Sequence, residues 1–383
     1  MLKSYLNKIK PYFQKGGRLH ALKSTFEAFE SFLYVPDHVT QKGAHIRDAI
    51  DCKRSMIMVV IALLPALFFG MWNVGYQHYL SFDTTVGFWD TFFYGFMQVS
   101  PILVVSYVVG LTIEFTVAQL RGHQVNEGFL VTGLLIPLIC PPDIPLWMVA
   151  CATAFAVVIG KEVFGGTGMN VWNPALLARA FLFFAYPSQM SGDKIWIAYK
   201  SDAFSGATPL SEIANDQVFD ATMLNDMFYG YIPGCIGETS KLAIIIGAVI
   251  LLWTGIASFR IMFSTIIGGL LMGFIFNIFG GSNAYMQISP YQHLLMGGFL
   301  FGAVFMATDP VTAAQTRNGK YIYGLLIGMI AVLIRVLNPA YLEGMMLAIL
   351  LMNTFAPLID YCFVEQNKKR RLKRASNSTP ETI

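Results

Sequence analysis

The sequence predicts an all-α, polytopic membrane protein with about ten transmembrane helices in two inverted five-helix repeats, including broken helices. Three observations lead to this fold class. Of 383 residues, 55% are apolar and only 13% are charged, whereas soluble domains carry about 25% charged residues. The apolar residues occur in blocks of roughly 20, the length that crosses a bilayer as a helix. Basic residues are concentrated at the two ends of the chain.

The charges at the ends predict the orientation of the chain. Residues 1–54 hold ten Lys and Arg against five Asp and Glu, and the residues after Phe363 hold six against two. Because basic segments stay on the cytoplasmic side, both ends are predicted to be cytoplasmic, which requires an even number of spans. We assign residues 1–54 to a cytoplasmic arm and residues 364–383 to a basic tail. Residues 19–33 of the arm fit an interfacial helix or a solvated segment equally well.

Ten apolar segments satisfy the requirement for an even number. They lie near residues 55–75, 91–118, 128–140, 145–163, 172–187, 241–257, 261–280, 292–308, 321–337 and 341–363. The basic residues at the predicted cytoplasmic turns are Arg121, Lys161, Arg260, Arg317 and Lys320. The loop 188–240 carries seven acidic residues against two lysines, so it is predicted to lie outside the cytoplasm.

The outer loop divides the segments into two predicted repeats, 55–187 and 241–363. An odd number of spans in each half inverts the second half relative to the first, as in many transporters. Gly133 and Pro137 interrupt the third segment of the first half, and three glycines within 297–302 interrupt its counterpart. Interrupted segments at matching positions point to a site near the membrane midplane. Close helix packing by small residues is the alternative.

The outer loop contains a run of small residues, Ser205, Gly206, Ala207 and Thr208. Taken alone, the run is typical of an ordinary turn with an exposed hydroxyl. Gly206 and Ala207 leave space beside that hydroxyl, so a bulky phosphate ester on Thr208 is the second interpretation.

A glycine-rich turn, Gly165–Ala175, lies between the fourth and fifth segments. Glycines such as Gly166 let backbone N–H groups approach a ligand. Asn170 and Asn173 are three residues apart, and their amides offer the donors and acceptors that the edge of a flat heterocycle requires. A tight turn with Asn173 as the helix N-cap and Pro174 at the first helical position is compatible with that interpretation.

Ionisable residues inside predicted spans are candidates for function because buried charges are energetically costly in a membrane. Glu114, near the inner end of the second segment, is a candidate for cation entry or for proton chemistry with a quinone. Asp360 lies in the last segment. Lys161 and Glu162 are interpreted as an interface pair.

Apolar side chains on the two interrupted segments predict a constriction. Phe301 and Phe305 are four residues apart, and Val131 and Leu134 are three apart. Facing each other, they would form a barrier to water and ions. Ordinary core packing is the alternative.

Five stretches carry a resemblance to a known family: Tyr34–Arg54, Arg121–Thr132, Lys161–Tyr186, Ser205–Thr208 and Met306–Thr312. In these stretches the chain is similar to the B-type subunits of the bacterial Na+-translocating NADH:quinone reductases (NQR). The D-type subunit of the Rnf ferredoxin:NAD complex is a relative that shares the flavin motif but lacks the long N-terminal arm. A flavin-free secondary transporter with inverted repeats is the remaining alternative.

The resemblance implies a translocase subunit of the bacterial inner membrane that carries two flavins. FMN would be linked to Thr208 through a phosphoester formed by a flavin transferase, with Ser205, Gly206 and Ala207 completing the motif. Riboflavin would lie near Gly166, Asn170 and Asn173. Electrons would pass from FMN to riboflavin and then to ubiquinone.

The resemblance also implies that Na+ crosses this subunit. Val131, Leu134, Phe301 and Phe305 would form its constriction, and Glu114 and Asp360 would take part in sodium uptake. Gly110, one turn before Glu114, is the candidate ubiquinone contact. The sequence has no motif for NADH or for an iron–sulfur cluster, so electrons would arrive from partner subunits (A, C, D, E and F of the complex). Nothing in the composition indicates nucleic-acid binding.

Overall fold

The part of the chain that the computed structural model describes is built from helices and contains no strand, which confirms the all-α prediction. That part comprises residues 2–13, 17–19, 23–34, 40, 42–44, 52–122, 128–192, 195–201, 204–214, 221–281, 283–338 and 344–378. Four acidic residues that support the predicted orientation of the outer loop lie outside it: Asp193, Asp202, Asp216 and Asp220.

Sixteen α-helices lie in the described residues. They are α1 (Leu2–Phe13), α2 (Lys23–Leu33), α3 (Cys52–Ser81), α4 (Phe88–Arg121), α5 (Phe129–Leu138), α6 (Leu146–Val157), α7 (Pro174–Ala185), α8 (Pro209–Ala214), α9 (Ala221–Tyr229), α10 (Lys241–Trp253), α11 (Phe259–Phe279), α12 (Ala284–Gln287), α13 (Pro290–Leu295), α14 (Phe299–Phe301), α15 (Gly319–Leu337) and α16 (Met345–Ser378). Two π-helical turns interrupt this pattern, the first at Val158–Glu162 and the second at Gly302–Met306.

Five of the described helices, α3, α4, α11, α15 and α16, are long and apolar enough to cross a membrane. Three further apolar helices, α5, α7 and α10, have only 10–13 residues. The chain is therefore a multi-pass membrane protein. Each of the ten predicted apolar segments coincides with a helical element, whereas the number of spans and the inverted repeats stay predictions.

Local sequence signals set several helix ends. α4 ends at Gly122, whose φ of +69° is the left-handed conformation that glycine adopts readily. α7 begins as predicted, because the Asn173 side chain accepts a hydrogen bond from the backbone of Ala175 and Pro174 occupies the first turn. α10 begins in the same way at Ser240, whose hydroxyl accepts from the backbone of Ala243.

The third segment is short in the first half and divided in the second, but Gly133 and Pro137 do not interrupt α5, which continues through both residues. α5 has only ten residues and ends at Leu138. Its counterpart is divided into α13, α14 and the second π-helical turn, with Gly297 at a φ of +56° between α13 and α14. These short pieces pack inside the protein, so their backbone groups do not need to face lipid.

Small residues bring the long helices close together. A Cβ atom at Gly95 of α4 would overlap the carbonyl of Met71 on α3, and one at Gly328 of α15 would overlap the carbonyl of Thr265 on α11. Such contacts are typical of helix pairs in membranes, where packing rather than water exclusion holds helices together. The glycines thereby bring α3 close to α4 and α11 close to α15.

Candidate functional site

A cavity lies between the third segments of the two halves. Its volume is about 110 Å³, which is enough for roughly four waters at liquid density. Its lining is mostly apolar with a few polar groups, the composition typical of cofactor sites. The lining includes Val131, Thr132, Leu135, Lys161, Thr167, Asn170, Asn173, Leu251, Phe305, Thr308 and Asp309.

The cavity brings the predicted flavin contacts together. Asn170 and Asn173 both line it, and Asn173 is buried. The Asn170 amide donates to the carbonyl of Trp172 at 3.0 Å. Because Oδ1 of Asn173 caps α7, its NH2 group is the part that can donate to a ligand. Gly166 has a φ of +96° and lies near the Glu162 carboxylate, but it does not line the cavity.

The donors and acceptors around the cavity fit a flavin. A flavin ring has an apolar benzenoid end and a pyrimidine end with carbonyl and imide groups. The Asn amides, the Thr308 hydroxyl and the Lys161 ammonium suit the polar end. Leu135, Leu251 and the Phe305 ring suit the apolar end.

The predicted constriction residues divide into two pairs. Val131 and Phe305 line the cavity, while Leu134 and Phe301 are buried in the hydrophobic core beside it. The Phe301 and Phe305 rings are 5.0 Å apart between centroids. Phe305 lies on the second π-helical turn, and such turns are frequent at functional sites. The sequence carries no sign of the π-helical geometry.

The predicted pairing of Lys161 with Glu162 is wrong. Lys161 lies in the first π-helical turn, its side chain is only 4% exposed, and it forms an ion pair with Glu114 of α4. Its predicted position on the cytoplasmic side stays a prediction. Glu162 pairs instead with Arg121, whose Nη2 donates to the Glu162 carbonyl at 2.8 Å. The first π-helical turn contains Lys161 and Glu162 and places both against α4. Glu114 is buried, as predicted for an intramembrane carboxylate.

Thr208 lies directly before α8 and is half-buried. Its hydroxyl is 3.4 Å from that of Ser211, a distance that is long for a hydrogen bond, so it remains available for substitution. Ser205 is exposed, Gly206 is buried and Ala207 is half-buried. A cavity of about 30 Å³ adjoins Thr208, and it is also lined by Glu238 and Lys241.

Lys241 belongs to a buried polar group that joins both halves beside Thr208. Its ammonium donates to the carbonyls of Glu238, Thr239 and Gly297. Glu238 accepts from Arg179 at 2.7 Å. Reasoning from the sequence did not identify Lys241, because its partners come together only in the folded chain.

Asp360 and Gly110 have evident structural contacts. The Asp360 carboxylate accepts hydrogen bonds from the backbone of Gln315 and Thr316 and from the Thr316 hydroxyl. It therefore anchors the loop before α15. A Cβ atom at Gly110 would overlap the ring of Phe129, so this glycine allows close packing of α4 and α5.

Asp309 is a further cavity residue, within the stretch Met306–Thr312. It follows the second π-helical turn, and its carboxylate accepts from the backbone of Val311 and the hydroxyl of Thr312. Burial raises the pKa of Asp309 above its ordinary value, and these hydrogen bonds partly oppose that shift. The position of Asp309 directly after the apolar segment 292–308 is the sequence signal that could have identified this residue.

Comparison with known proteins agrees with this architecture. The sequence profile of the NQR2, RnfD, RnfE family matches residues 39–369. A protein of Ectopseudomonas mendocina is 48% identical over 97% of this chain and 99% of its own length. One from Chromohalobacter salexigens is 47% identical over 100% of this chain and 98% of its own. Both are named as the B-type subunit of a Na(+)-translocating NADH-quinone reductase. The chain therefore belongs to the NQR2, RnfD, RnfE family.

Proposed function

We propose that this chain is the membrane redox subunit of a sodium-pumping NADH:ubiquinone oxidoreductase. It would pass electrons from covalent FMN to riboflavin and then to ubiquinone, and it would carry the Na+ path. One observation carries the proposal: a single cavity is lined both by the candidate flavin contacts Asn170 and Asn173 and by the candidate constriction residues Val131 and Phe305. That arrangement would let a redox change act on an ion path.

The length of the match favours the B-type subunit of an NQR complex over the D-type subunit of an Rnf complex. The family profile begins at residue 39, whereas the NQR relatives cover 97–100% of this chain. They therefore share the N-terminal arm, which the resemblance implies a D-type Rnf subunit would lack. The partners would be the other subunits of the six-subunit complex (A, C, D, E and F).

Thr208 is the proposed attachment site for FMN through a phosphoester, made by a flavin transferase outside the cytoplasm. Bound flavin would supply one-electron transfer. The loop supports the attachment through its half-buried hydroxyl and through Ser205, which is exposed beside it. Lys241 and Glu238 lie across the adjoining cavity.

The second flavin would be riboflavin, held without a covalent bond in the larger cavity. Asn170 and the NH2 group of Asn173 would orient its polar edge, and Gly166 would keep the turn compact. Val131 and Phe305 would exclude water from its apolar face. Gly110 is the proposed ubiquinone contact, on the face of α4 that packs against Phe129.

The Na+ path would pass between the broken segments, closed by Val131, Leu134, Phe301 and Phe305. Glu114 and Asp360 would act in uptake. The chain would lie in the bacterial inner membrane with both termini cytoplasmic, in two inverted repeats over residues 55–187 and 241–363. The short helices α5 and α14 at matching positions support that arrangement.

Riboflavin content tests the proposal. Asn170→Ala and Asn173→Ser would be made in the complete complex, because serine keeps the acceptor that caps α7 but removes the amide. We expect both to lower the non-covalent flavin released by acid while FMN stays on Thr208. Asn283→Ser is the control, since Asn283 caps α12 in the same way but does not line the cavity. Full riboflavin in both variants, or none in the wild type, contradicts the proposal.

A further inference from the structure

Lys161 lies between the Glu114 carboxylate and the cavity that is proposed to hold a flavin. Its ammonium donates to the Glu114 carboxylate, and both side chains are 4% exposed. Lys161 also lines the cavity that contains Asn170 and Asn173. An ammonium carries three N–H donors, so a bond to Glu114 leaves donors for a group in the cavity.

Glu114 depends on Lys161 for charge compensation, because the nearby cation Arg121 is paired with Glu162. Arg121 lies nearby on α4, but its guanidinium is engaged by Glu162, with one donor on the carbonyl and Nη1 at 3.6 Å from the carboxylate. Arg121 is also 43% exposed. The buried charge of Glu114 is therefore compensated chiefly by the one ammonium that also faces the cavity.

The buried Glu114 carboxylate needs a positive charge beside it. In a low-dielectric interior, a carboxylate that loses its counterion must gain another cation or a proton. An electron that arrives in the cavity adds one negative charge near Lys161 and attracts its ammonium. Glu114 is then left with less compensation, and a small cation from the Na+ path can supply it.

We propose that Lys161 is a shared counterion whose division between the cavity and Glu114 determines when Glu114 binds Na+. The inference rests on the proposed function, in which the cavity holds a flavin. The electron would come from the FMN proposed on Thr208, which would be oxidised by one electron as the flavin in the cavity is reduced by one. No covalent bond forms or breaks, Lys161 keeps its proton, and one Na+ at Glu114 balances the added charge.

Thermodynamic reciprocity supplies a readout that does not depend on turnover. If reduction favours Na+ binding at Glu114, then Na+ must favour reduction to the same extent. The midpoint potential of the non-covalent flavin should therefore rise with Na+ by at most about 59 mV for each tenfold change, the one-electron limit.

The first experiment measures Na+ bound to the oxidised complex by equilibrium dialysis with radioactive Na+. Lys161→Met should bind one Na+ more than wild type, because Glu114 has lost its ammonium. Lys161→Met combined with Glu114→Gln should lose that extra ion, and Lys161→Arg should resemble wild type. Equal Na+ binding in wild type and Lys161→Met, with the riboflavin retained, overturns the inference.

The second experiment does not require the Lys161 variants to assemble. The potential of the non-covalent flavin is measured in wild type and Glu114→Gln at two Na+ concentrations and constant ionic strength. We expect a Na+-dependent potential in wild type that Glu114→Gln abolishes. A wild-type potential that does not change with Na+ overturns the inference. Wild-type complex without riboflavin refutes the proposed function instead, so the two failures are distinguishable.

Discussion

Arg179 and Glu238 form a buried ion pair that joins α7 to the segment before α10. Arg179 Nη1 lies 2.7 Å from Glu238 Oε1, and the two side chains are 2% and 8% exposed. The same carboxylate packs against Gly298, where an added Cβ would lie 2.5–2.8 Å from its atoms. The Glu238 side chain therefore contacts α7 of the first half and the divided third segment of the second half.

Removing one member of this pair should destabilise the protein strongly. We expect Glu238→Gln to lower the free energy of unfolding by about 3–5 kcal/mol, because it removes the charge of the carboxylate that pairs with the buried Arg179 guanidinium. Thermal unfolding of the purified complex in detergent measures the effect. Glu365→Gln is the control, since Glu365 pairs with Lys368 on the exposed part of α16, and it should unfold like wild type. Similar unfolding temperatures for both variants would show that the buried pair is not a structural link.

Gly110→Ala tests whether that position is a packing site. The added methyl group would overlap the fully buried Phe129 ring, and overpacking of this kind costs about 1–3 kcal/mol. We expect a lower unfolding temperature that Phe129→Leu partly restores in the double variant. A raised KM for ubiquinone at unchanged stability would instead support direct contact with the quinone.

Asp360→Asn should act through the loop that the carboxylate holds. Three donors from Gln315 and Thr316 bind it, and hydrogen bonds to a charged group contribute about 1.5–3 kcal/mol. We expect lower stability together with a weaker apparent Na+ affinity. Thr316→Val, which keeps the carboxylate, should reproduce part of both changes. If Thr316→Val resembles wild type while Asp360→Asn loses its Na+ response, Asp360 binds the ion directly.

Deleting residues 1–40 should impair ubiquinone reduction. α2 packs against α4, the helix that carries Gly110 and Glu114, so loss of the arm removes a contact to this helix. We expect a higher KM for ubiquinone. Electron transfer from NADH to an artificial acceptor in the partner subunits is the control and should not change. Unaltered ubiquinone kinetics would remove the arm from the quinone site.

Much of the helical pattern was predictable because hydrophobic blocks and helix-end residues are local signals. The N-cap at Asn173, the short length of α5 and the break at 297–302 follow from the sequence in this way. Gly133 and Pro137, in contrast, lie inside α5 without breaking it. Helix lengths were underestimated where polar residues pack inside. α3 continues to Ser81, and Asn73 is accommodated because its amide donates to the carbonyl of Ile232 at 3.0 Å.

The site was only partly predictable because its polar partners are distant in sequence. Glu114 was identified as a buried carboxylate, but its partner lies 47 residues away. Lys161 resembles a turn residue because the glycine-rich run follows it directly. The π-helical turn that directs it inward arises from packing against α4, which leaves no local signature.

The most direct test of the central claim, that this chain is a flavin-carrying redox subunit, is peptide mass analysis at Thr208. The chain would be purified from cells that contain the flavin transferase, beside Thr208→Ala. We expect an adduct with the mass of FMN on the wild-type Thr208 peptide and none on the variant. An unmodified Thr208 in the wild type would refute the redox assignment and favour a flavin-free transporter.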